Sequence, residues 1–377
     1  MTRRICYVSG TRADFGLMKV TLAALHAAPG LSVDILVTGM HLSEAHGLTV
    51  QEIRAADLPI RGEVPVTLEP ATGATMARNL GVMVQHFVDY LEPHRPDAIL
   101  LLGDRGEMLA GAIAAIHLNI PVVHIHGGER SGTVDEPVRH AISKLSHIHF
   151  VATAESRERL VRMGEHQEHV FVTGAPGLDG LQDLASVSRV ALCGELDFEP
   201  QRLTALMVFH PVLQEADKAG ESAEIVMTCL VGRGFQVVAM MPNSDGGSDP
   251  IRQVLLSYAQ DKSVRVLTHL NRAMFVSWVA CCDVMIGNSS AGIIEAASFG
   301  TPVLNLGNRQ NLRERNANTL DVPLEKDAIL VGLDQLLKRG RQQTANIYGD
   351  GHASTRIVEL MSTLPLSSSL LSKTNAY

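Results

Sequence analysis

The chain alternates between short apolar runs and longer segments whose apolar residues recur at helical spacing. Runs that are apolar on both faces, such as "RICYVSG", "DAILLLG" and "HVFVTG", predict fully buried strands. The segments "LMKVTLAALHAA" and "GEMLAGAIAAIHL" predict helices between such strands. Strands that alternate with helices favour a parallel sheet covered by helices.

This alternation is interrupted at "GAPGLDG" (174–180), where small and turn-forming residues predominate. A second series of predicted strands follows, including "LTALMVFHP", "FQVVAMMPN" and "DVMIGNSS". Because 377 residues are too many for one ordinary core, we expect two domains. The pattern predicts an α/β protein with two Rossmann-like, doubly wound domains that face each other across a cleft, residues 1–173 and 174–353. "STRIVELMSTL" predicts a final helix, and the Ser-rich tail after Pro365 is expected to fray.

The composition excludes several classes of protein. A net charge of −8 argues against a nucleic-acid binder with a basic surface, so an anionic ligand would need a few local cations. Five cysteines without a CxxC pair are typical of a reducing compartment. The first predicted strand begins at residue 4 and no apolar run approaches about 18 residues, so we expect a soluble, cytoplasmic protein without membrane association. No GxGxxG pattern occurs, so no dinucleotide cofactor is expected.

Polar residues follow many of the predicted strands, and ligands of open parallel sheets bind beyond the carboxyl ends of the strands. "GTRADFG" presents Arg12, and "GDRGEM" presents Arg105 beside Asp104, a candidate base. The corresponding candidates of the second series are His210, Asn243 and Arg309. Each alone is equally typical of a surface arginine, a salt-bridged turn or a structural histidine. Together, the arginines could bind the two phosphates of a nucleotide diphosphate.

The stretch "GNSSAGIIEAASFGTPV" (287–303) combines a strand end with a helix start. Ser289 or Ser290 can cap the helix, whose free N–H groups would favour an anion. Glu295, expected one to two turns inside the helix, could accept two hydroxyl groups of a ribose. An ordinary capped helix with an exposed glutamate is the alternative.

The stretch "HIHGGERSGTVDEPVRH" (124–140) is rich in histidines and carboxylates. His124 and His126 should share one face of a strand, but spacing enforces no third ligand, so a metal-free acid/base cluster is favoured over a metal site. A hydrogen-bonded structural network is the other alternative. Glu129, Asp135 and a further carboxylate nearby would favour a protonated imidazole. Asp135 could instead cap the helix that starts near "PVRH".

With these motifs in view, the chain resembles the hydrolysing UDP-N-acetylglucosamine 2-epimerases of sialic-acid and capsule biosynthesis, a family that includes the epimerase half of the mammalian bifunctional enzyme. The shared motifs are "GTRADFG", "VTGMHL", "GDR", "HIHGGE", "SGTVDEPVRHAISKLSHIHF", "FHP", "PNSDGGS", "IGNSSAGIIE" and "GNRQ", in the family's order along almost the whole chain. The resemblance implies the two-domain GT-B fold, with the C-terminal helix (about 354–377) packing back on the first domain. It also implies a homodimer or higher homo-oligomer, a small-molecule UDP-sugar substrate, and neither a cofactor nor a metal.

The family reaction converts UDP-N-acetylglucosamine and water into N-acetylmannosamine and UDP. It proceeds by anti elimination of UDP to 2-acetamidoglucal and syn addition of water. Three alternatives remain open from the sequence. They are the same reaction on a UDP-2,4-diacetamido-2,4,6-trideoxyhexose on the way to legionaminic acid, a GT-B glycosyltransferase, and a non-catalytic nucleotide-sugar sensor.

The resemblance also assigns roles to individual residues. The implied UDP contacts are Arg12, Arg105, His210, Asn243, Ser289, Ser290, Glu295 and Arg309, with Leu270 and Phe275 lining the uracil site. The implied catalytic candidates are Asp104, His124, His126, Glu129, Asp135 and His210. Many relatives carry glutamate where this chain has His126, so the group that removes the C2 proton stays open among His126, Glu129 and Asp135.

Overall fold

The computed structural model describes residues 2–377. Its strands are Arg3–Ser9 (β1), Leu31–Thr38 (β2), Ile60–Val64 (β3), Ala98–Leu102 (β4), Val122–Ile125 (β5), Ile148–Val151 (β6), Val170–Val172 (β7), Thr204–Val208 (β8), Gln236–Met240 (β9), Val264–Leu267 (β10), Val284–Gly287 (β11), Val303–Leu306 (β12) and Thr319–Val322 (β13). Most are short and apolar on both faces, as the sequence pattern predicts.

Helices connect the strands in nearly every crossover. They are Arg12–Ala27 (α1), Val50–Arg54 (α2), Gly73–Leu91 (α3), Gly106–His117 (α4), Asp135–Leu145 (α5), Ala154–Arg162 (α6), Leu181–Leu184 (α7), Arg189–Glu195 (α8), Ala219–Gly232 (α9), Ser248–Ser257 (α10), Arg272–Cys281 (α11), Ser290–Ile294 (α12), Lys326–Arg339 (α13), Ala353–Thr363 (α14) and Ser368–Leu371 (α15). Among residues 2–377, no helix combines the length and apolar character needed to cross a bilayer.

The strands form two separate sheets, both entirely parallel. The first has the order β3-β2-β1-β4-β5-β6-β7 and the second the order β10-β9-β8-β11-β12-β13. In each sheet the order reverses between two central strands, β1 and β4 in the first and β8 and β11 in the second. Such a reversal leaves a crevice at the carboxyl ends of the two strands, where ligands of this architecture bind. The predicted fold of two doubly wound α/β domains is confirmed.

Both faces of each sheet are buried, because successive side chains of a strand point to opposite sides. In β1, Ile5 and Tyr7 belong to the core beneath α1, whereas Cys6 and Val8 belong to the core beneath α4. The second sheet is covered in the same way by two further clusters. This double burial explains why the strands read as continuous apolar runs.

The chain returns to the first domain through α14, which packs against α1. Ile357 and Met361 of α14 are buried in the same cluster as the side chains of β1 and α1. Arg3 in β1 donates hydrogen bonds to the carbonyl oxygens of Met361 and, at 2.9 Å, Leu364. Sequence-distant segments at both ends of the chain thus build one core.

The prediction that the tail after Pro365 frays is wrong. Lys373 Nζ donates to the carbonyl oxygen of Lys144 at 2.9 Å, at the C-terminal end of α5, and lies 2.6 Å from Glu165 Oε2. The backbone N–H of Ala376 donates to the carbonyl of Gly164 at 2.9 Å. The last turn of a helix leaves carbonyl groups without partners, and a lysine is well suited to satisfy them.

We predict that Lys373→Met lowers the free energy of unfolding by about 1–3 kcal/mol, because it removes a charged partner from a buried carboxylate and from helix carbonyls. The Glu165 side chain is only 2% exposed. Urea unfolding measures the effect. Lys262→Met, at an exposed position, is the matched control. Equal stability of Lys373→Met and the unsubstituted chain would contradict the prediction.

Candidate active site

The two crevices face each other and enclose one cavity of about 300 Å³, within the range of small-molecule sites. Predicted site residues that line it from the first domain are Arg12, Asp104, Arg105, His126 and Glu129. Those that line it from the second domain are His210, Asn243, Leu270, Phe275, Ser289, Ser290, Glu295 and Arg309. Two predicted residues, His124 and Asp135, do not line the cavity.

The turn between β1 and α1 carries Arg12 into the cleft. Thr11 caps α1 by accepting a hydrogen bond from the N–H of Asp14, and Asp14 in turn accepts from the N–H of Thr11. Arg12 Nη1 lies 2.6 Å from His269 Nδ1 of the second domain, and His269 Nε2 lies 2.8 Å from Glu52. Burial lowers the pKa of Arg12, so its guanidinium would gain from an anionic ligand.

Arg105 is held by carboxylates from both domains. It contacts Glu107 Oε2 at 3.2 Å and, across the cleft, Asp245 Oδ1 at 3.4 Å. These carboxylates raise the pKa of Arg105 although burial opposes the shift. A Cβ at Gly10 would lie 2.6 Å from Cγ of Glu107, so glycine leaves room for this carboxylate in its present position. Asn243 donates to Asp245, so the second domain holds the same network.

His210 follows β8 and is fixed by a reciprocal pair of hydrogen bonds with Asn288, both at 2.8 Å. Its Nδ1 accepts a hydrogen bond from the N–H of Asn243 at 3.4 Å, so the ring proton lies on Nε2. Burial, reinforced by the charge of Arg309, lowers the pKa of His210 to about 3. The residue is therefore a neutral donor suited to a phosphate or leaving-group oxygen.

Ser289 caps α12, as predicted, by accepting from the N–H of Ala291 at 3.3 Å. The helix is much shorter than expected and ends at Ile294, so Glu295 lies just beyond its C-terminus rather than inside it. Glu295 is also buried, which rules out the alternative of an exposed glutamate. It forms an ion pair with Arg272, at the start of α11, and lines the cavity from there.

Asp135 does not cap helix α5. It is the first residue of the helix, and its carboxylate lies 3.3 Å from Nη2 of Arg309. The neighbouring Glu136 instead accepts hydrogen bonds from the N–H groups of Ser131 and Gly132 at 2.8 and 2.9 Å. Asp135 therefore contacts Arg309 without lining the cavity itself. From this position it can orient the guanidinium.

His124 and His126 do not share a face, contrary to the sequence prediction. Strand β5 ends at Ile125, and His126 adopts a left-handed backbone conformation with φ of 63°, which is uncommon for a residue with a side chain. His124 is fully buried, with Nε2 2.7 Å from the Gly103 carbonyl and Nδ1 3.1 Å from Ser143 Oγ. His124 supports the turn that bears Asp104 and does not reach the cavity.

His126 and Glu129 form a hydrogen-bonded pair in which Nδ1 of the ring contacts Oε1 of the carboxylate. The prediction that an imidazole in this stretch is protonated is wrong for His124, whose pKa is lowered by burial to about 3. At His126, burial and the charge of Arg313 lower the pKa, whereas the contact with Glu129 favours the charged form. A neutral His126 that donates from Nδ1 to Glu129 carries a lone pair on Nε2 and is able to accept a proton.

Asp104 lies between two guanidinium groups. Arg139, in α5, donates to its Oδ2, and Nη2 of Arg313, from the second domain, lies 3.9 Å from the same oxygen. Arg139 is fully buried; burial and then the charge of Arg309 lower its pKa, and the ion pair with Asp104 opposes this shift. Two adjacent cations match the ionised form of Asp104.

Sequence reasoning missed several charged residues and a histidine that line the cavity. They are His46, Glu52, Arg139, Arg252, Arg272 and Arg313. The stretch "NRQNLRER" (308–315) after β12 contains three arginines, a cluster that indicates an anion site. The sequence analysis selected only the first of them, Arg309. Over residues 2–377, no group of three or more histidine, cysteine or acidic side chains could hold a metal ion.

A comparison with protein families matches residues 23–362 to the family described as UDP-N-acetylglucosamine 2-epimerase. The chain belongs to this family. Among curated 2-epimerases, it is 50% identical over 377 residues to UDP-N,N'-diacetylbacillosamine 2-epimerase (hydrolyzing) of Legionella pneumophila, with 100% of both chains covered. It is 33% identical over 355 residues to UDP-N-acetylglucosamine 2-epimerase of Neisseria meningitidis serogroup B, covering 94% of this chain and 92% of that one.

Solved structures of 2-epimerases share the fold. The UDP-GlcNAc 2-epimerase from Neisseria meningitidis, solved with UDP-GlcNAc bound, superposes with a TM-score of 0.79 at 21% identity. The match covers 95% of this chain and 99% of that one. The family assignment and the fold predicted from the resemblance are therefore confirmed, and the chain is an enzyme of the 2-epimerase family rather than a glycosyltransferase or a sensor.

We predict that the stability of this 2-epimerase falls as the pH decreases below about 6.5, because the unfolded chain then binds protons that the buried His124 cannot accept. The stability linked to His124 is fully present above pH 6.5 and is lost as the pH falls towards the folded-state pKa of about 3. His124→Gln keeps an amide donor for Gly103 and should reduce the slope of unfolding free energy against pH by about 1.4 kcal/mol per unit.

Urea unfolding between pH 5 and 6.5 measures this slope. His94→Gln, at an exposed position, serves as the control. An unchanged slope in His124→Gln would mean that His124 is already protonated in the folded enzyme.

We predict that Arg309→Ala weakens UDP binding by about 2–4 kcal/mol, roughly 30- to 700-fold in Kd. Because Asp135 contacts Arg309, Asp135→Asn should weaken binding less, and the double variant should deviate from additivity by about 0.5–3 kcal/mol. Titration calorimetry with UDP provides the four Kd values. Asp334→Asn, which removes an exposed ion pair with Arg233, is the control, and strictly additive effects would contradict the coupling.

Proposed function

We propose that the protein is a hydrolysing UDP-sugar 2-epimerase whose preferred substrate is UDP-N,N'-diacetylbacillosamine, a UDP-2,4-diacetamido-2,4,6-trideoxyhexose. The reaction rests on one observation, a cavity in which cations suited to a diphosphate face two groups suited to proton transfer, His126 and Asp104. The substrate rests on the relative of that name, at 50% identity over the whole chain. UDP-N-acetylglucosamine, the first choice from the sequence, becomes the second candidate and is supported by the relative at 33% identity.

In the proposed first step, a base takes the proton from C2 while the C1–oxygen bond breaks and UDP leaves with the electron pair. Arg12, Arg105 and Arg309 stabilise the negative charge that develops on UDP. His210 donates from Nε2 to an oxygen of the leaving group, which is consistent with its neutral state. His126 is the base, since Glu129 keeps its proton on Nδ1.

In the proposed second step, water adds to the resulting double bond, with hydroxide joining C1 and a proton joining C2. Inversion at C2 requires that the proton leaves from one face of the sugar ring and returns to the other, so two groups must act. Asp104 lines the cavity and is held by Arg139. We assign it to the hydration, in which it takes a proton from the water that attacks C1 and delivers that proton to C2 on the same face of the ring.

The cavity wall also supports the substrate preference. Met40 and Leu102 line it from the first domain, the side that carries the proposed proton-transfer groups His126 and Asp104. Flexible apolar side chains fill irregular space around a ligand. A 6-deoxy sugar with a second acetamido group presents two methyl groups that UDP-N-acetylglucosamine does not have. The apolar wall therefore favours the more apolar sugar.

Incubation of the purified enzyme with each UDP-sugar in heavy water tests the proposal. We expect kcat/KM to be at least about tenfold higher for UDP-N,N'-diacetylbacillosamine, the scale on which apolar pockets discriminate. Proton NMR should find deuterium at C2 of a free sugar of the manno configuration, alongside UDP. A higher kcat/KM for UDP-N-acetylglucosamine would reverse the substrate assignment. A product without deuterium at C2 would contradict the two-group mechanism.

We also propose that the protein assembles as a homodimer or higher homo-oligomer, as expected from the family resemblance. Sedimentation velocity at micromolar concentration tests this assignment. A single monomeric species would contradict it.

A further inference from the structure

Arg313 is a cation of the second domain that contacts the acid/base cluster of the first. It lies in the segment 308–315 after β12, and its side chain is 8% exposed. Nη1 donates to Oε2 of Glu129, and Nη2 lies 3.9 Å from Oδ2 of Asp104. One side chain of the second domain thus contacts two of the carboxylates that line the cavity in the first, Asp104 and Glu129.

Glu129 connects Arg313 to the proposed base. One carboxylate oxygen of Glu129 accepts from Arg313 and the other accepts from Nδ1 of His126. The side chain of Glu129 is 3% exposed, and a buried carboxylate persists in its charged form only with a compensating cation. A charged Glu129 keeps the ring proton of His126 on Nδ1 and leaves the lone pair on Nε2.

The first domain alone fixes only the backbone around Glu129. Arg139 donates to its carbonyl oxygen at 3.1 Å and to Ser131 Oγ at 3.2 Å, but its contact with a carboxylate is with Asp104. Among residues 2–377, Arg313 is the one lysine or arginine that forms an ion pair with the Glu129 carboxylate. Full alignment of the carboxylate therefore depends on the other domain.

The same segment also carries Arg309, a proposed UDP contact. Arg309 Nη1 and Gln310 Nε2 both donate to the carbonyl oxygen of Asn288 at 3.1 Å, next to Ser289. Arg315 holds the segment together by donating to the carbonyl oxygens of Gln310 and, at 2.7 Å, Arg313. One braced segment thus contacts the nucleotide side of the cavity at one end and the acid/base cluster at the other.

We propose that Arg313 is an interdomain positioning residue that orients Glu129 and, through it, His126, so that the base is complete only when the two domains face each other as they do here. This inference rests on the proposed function, because it assigns His126 as the base. It goes beyond that function by making the second domain, which binds the nucleotide, a participant in proton abstraction. Arg309 is assigned to the nucleotide, both in binding and as UDP leaves, whereas Arg313 is assigned to the base alone.

The kinetic test compares Arg313→Ala with Arg309→Ala. We expect kcat of Arg313→Ala to fall about 10- to 100-fold, the usual cost of losing a residue that orients a functional group. The Kd for UDP should change by less than about threefold, because Arg313 is not assigned to the nucleotide. Arg309→Ala should instead raise the Kd for UDP by far more than threefold, and it should also lower kcat, because Arg309 stabilises the departing UDP. Equal losses of kcat and UDP affinity in Arg313→Ala, or an unchanged kcat, would overturn the proposal.

Chemical rescue separates positioning from damage to the fold. Added guanidinium at millimolar concentration should restore part of kcat in Arg313→Ala, because it can occupy the space next to Glu129. It should not restore kcat in His126→Ala, the matched control. Circular dichroism and thermal unfolding establish that the variants fold. Absence of rescue in a folded Arg313→Ala enzyme would count against the proposal.

A third measurement does not depend on turnover, so failure of this inference can be distinguished from failure of the proposed function. Nitrogen NMR of the UDP complex, with the His126 signals assigned through His126→Ala, reports which ring nitrogen carries the proton. We expect protonated Nδ1 and unprotonated Nε2 in the unsubstituted chain, and a mixture of states in Arg313→Ala. Identical His126 signals in both proteins would overturn the inference, whichever sugar the enzyme accepts.

Discussion

Pairing of buried charges across the cleft is the constraint on which the site depends. Guanidinium groups and carboxylates taken out of water are tolerated only where each has a partner with good geometry. Here several partners come from opposite domains, as in the contacts of Arg309 with Asp135 and of Arg313 with Glu129. Because neither domain satisfies these groups alone, the same contacts that hold the domains together also define the chemistry of the cavity.

The parallel sheets explain why such groups can be gathered at all. Each sheet reverses its strand order at a central pair, and the turns after these strands must emerge side by side. Close approach at these points demands glycine. At Gly287, a Cβ would lie 2.1 Å from the carbonyl oxygen of Val208 on the neighbouring strand. Glycine at the strand end thus lets β11 and β8 deliver Ser289 and His210 to the same crevice.

Burial also determines how the histidines of the site can act. Burial lowers the pKa values of His126 and His210, and a neutral imidazole works as a donor or an acceptor according to which ring nitrogen carries the proton. His210 accepts at Nδ1 and can donate from Nε2, whereas His126 donates from Nδ1 and can accept at Nε2. Two residues of the same type thereby serve opposite ends of the proposed elimination.

The sequence by itself determined the two α/β domains, the polar residues at the strand ends and the family, because strand and helix periodicity and short motifs are local properties of the chain. Only the tertiary structure decided the tautomers, the burial of His124 and the ordered tail. His126 turns away from His124 because the backbone reverses after Ile125. Arg313 and Glu129 are 184 residues apart, so no spacing rule could pair them. Contacts over such separations arise from how the two sheets face each other, and no single stretch of residues specifies that arrangement.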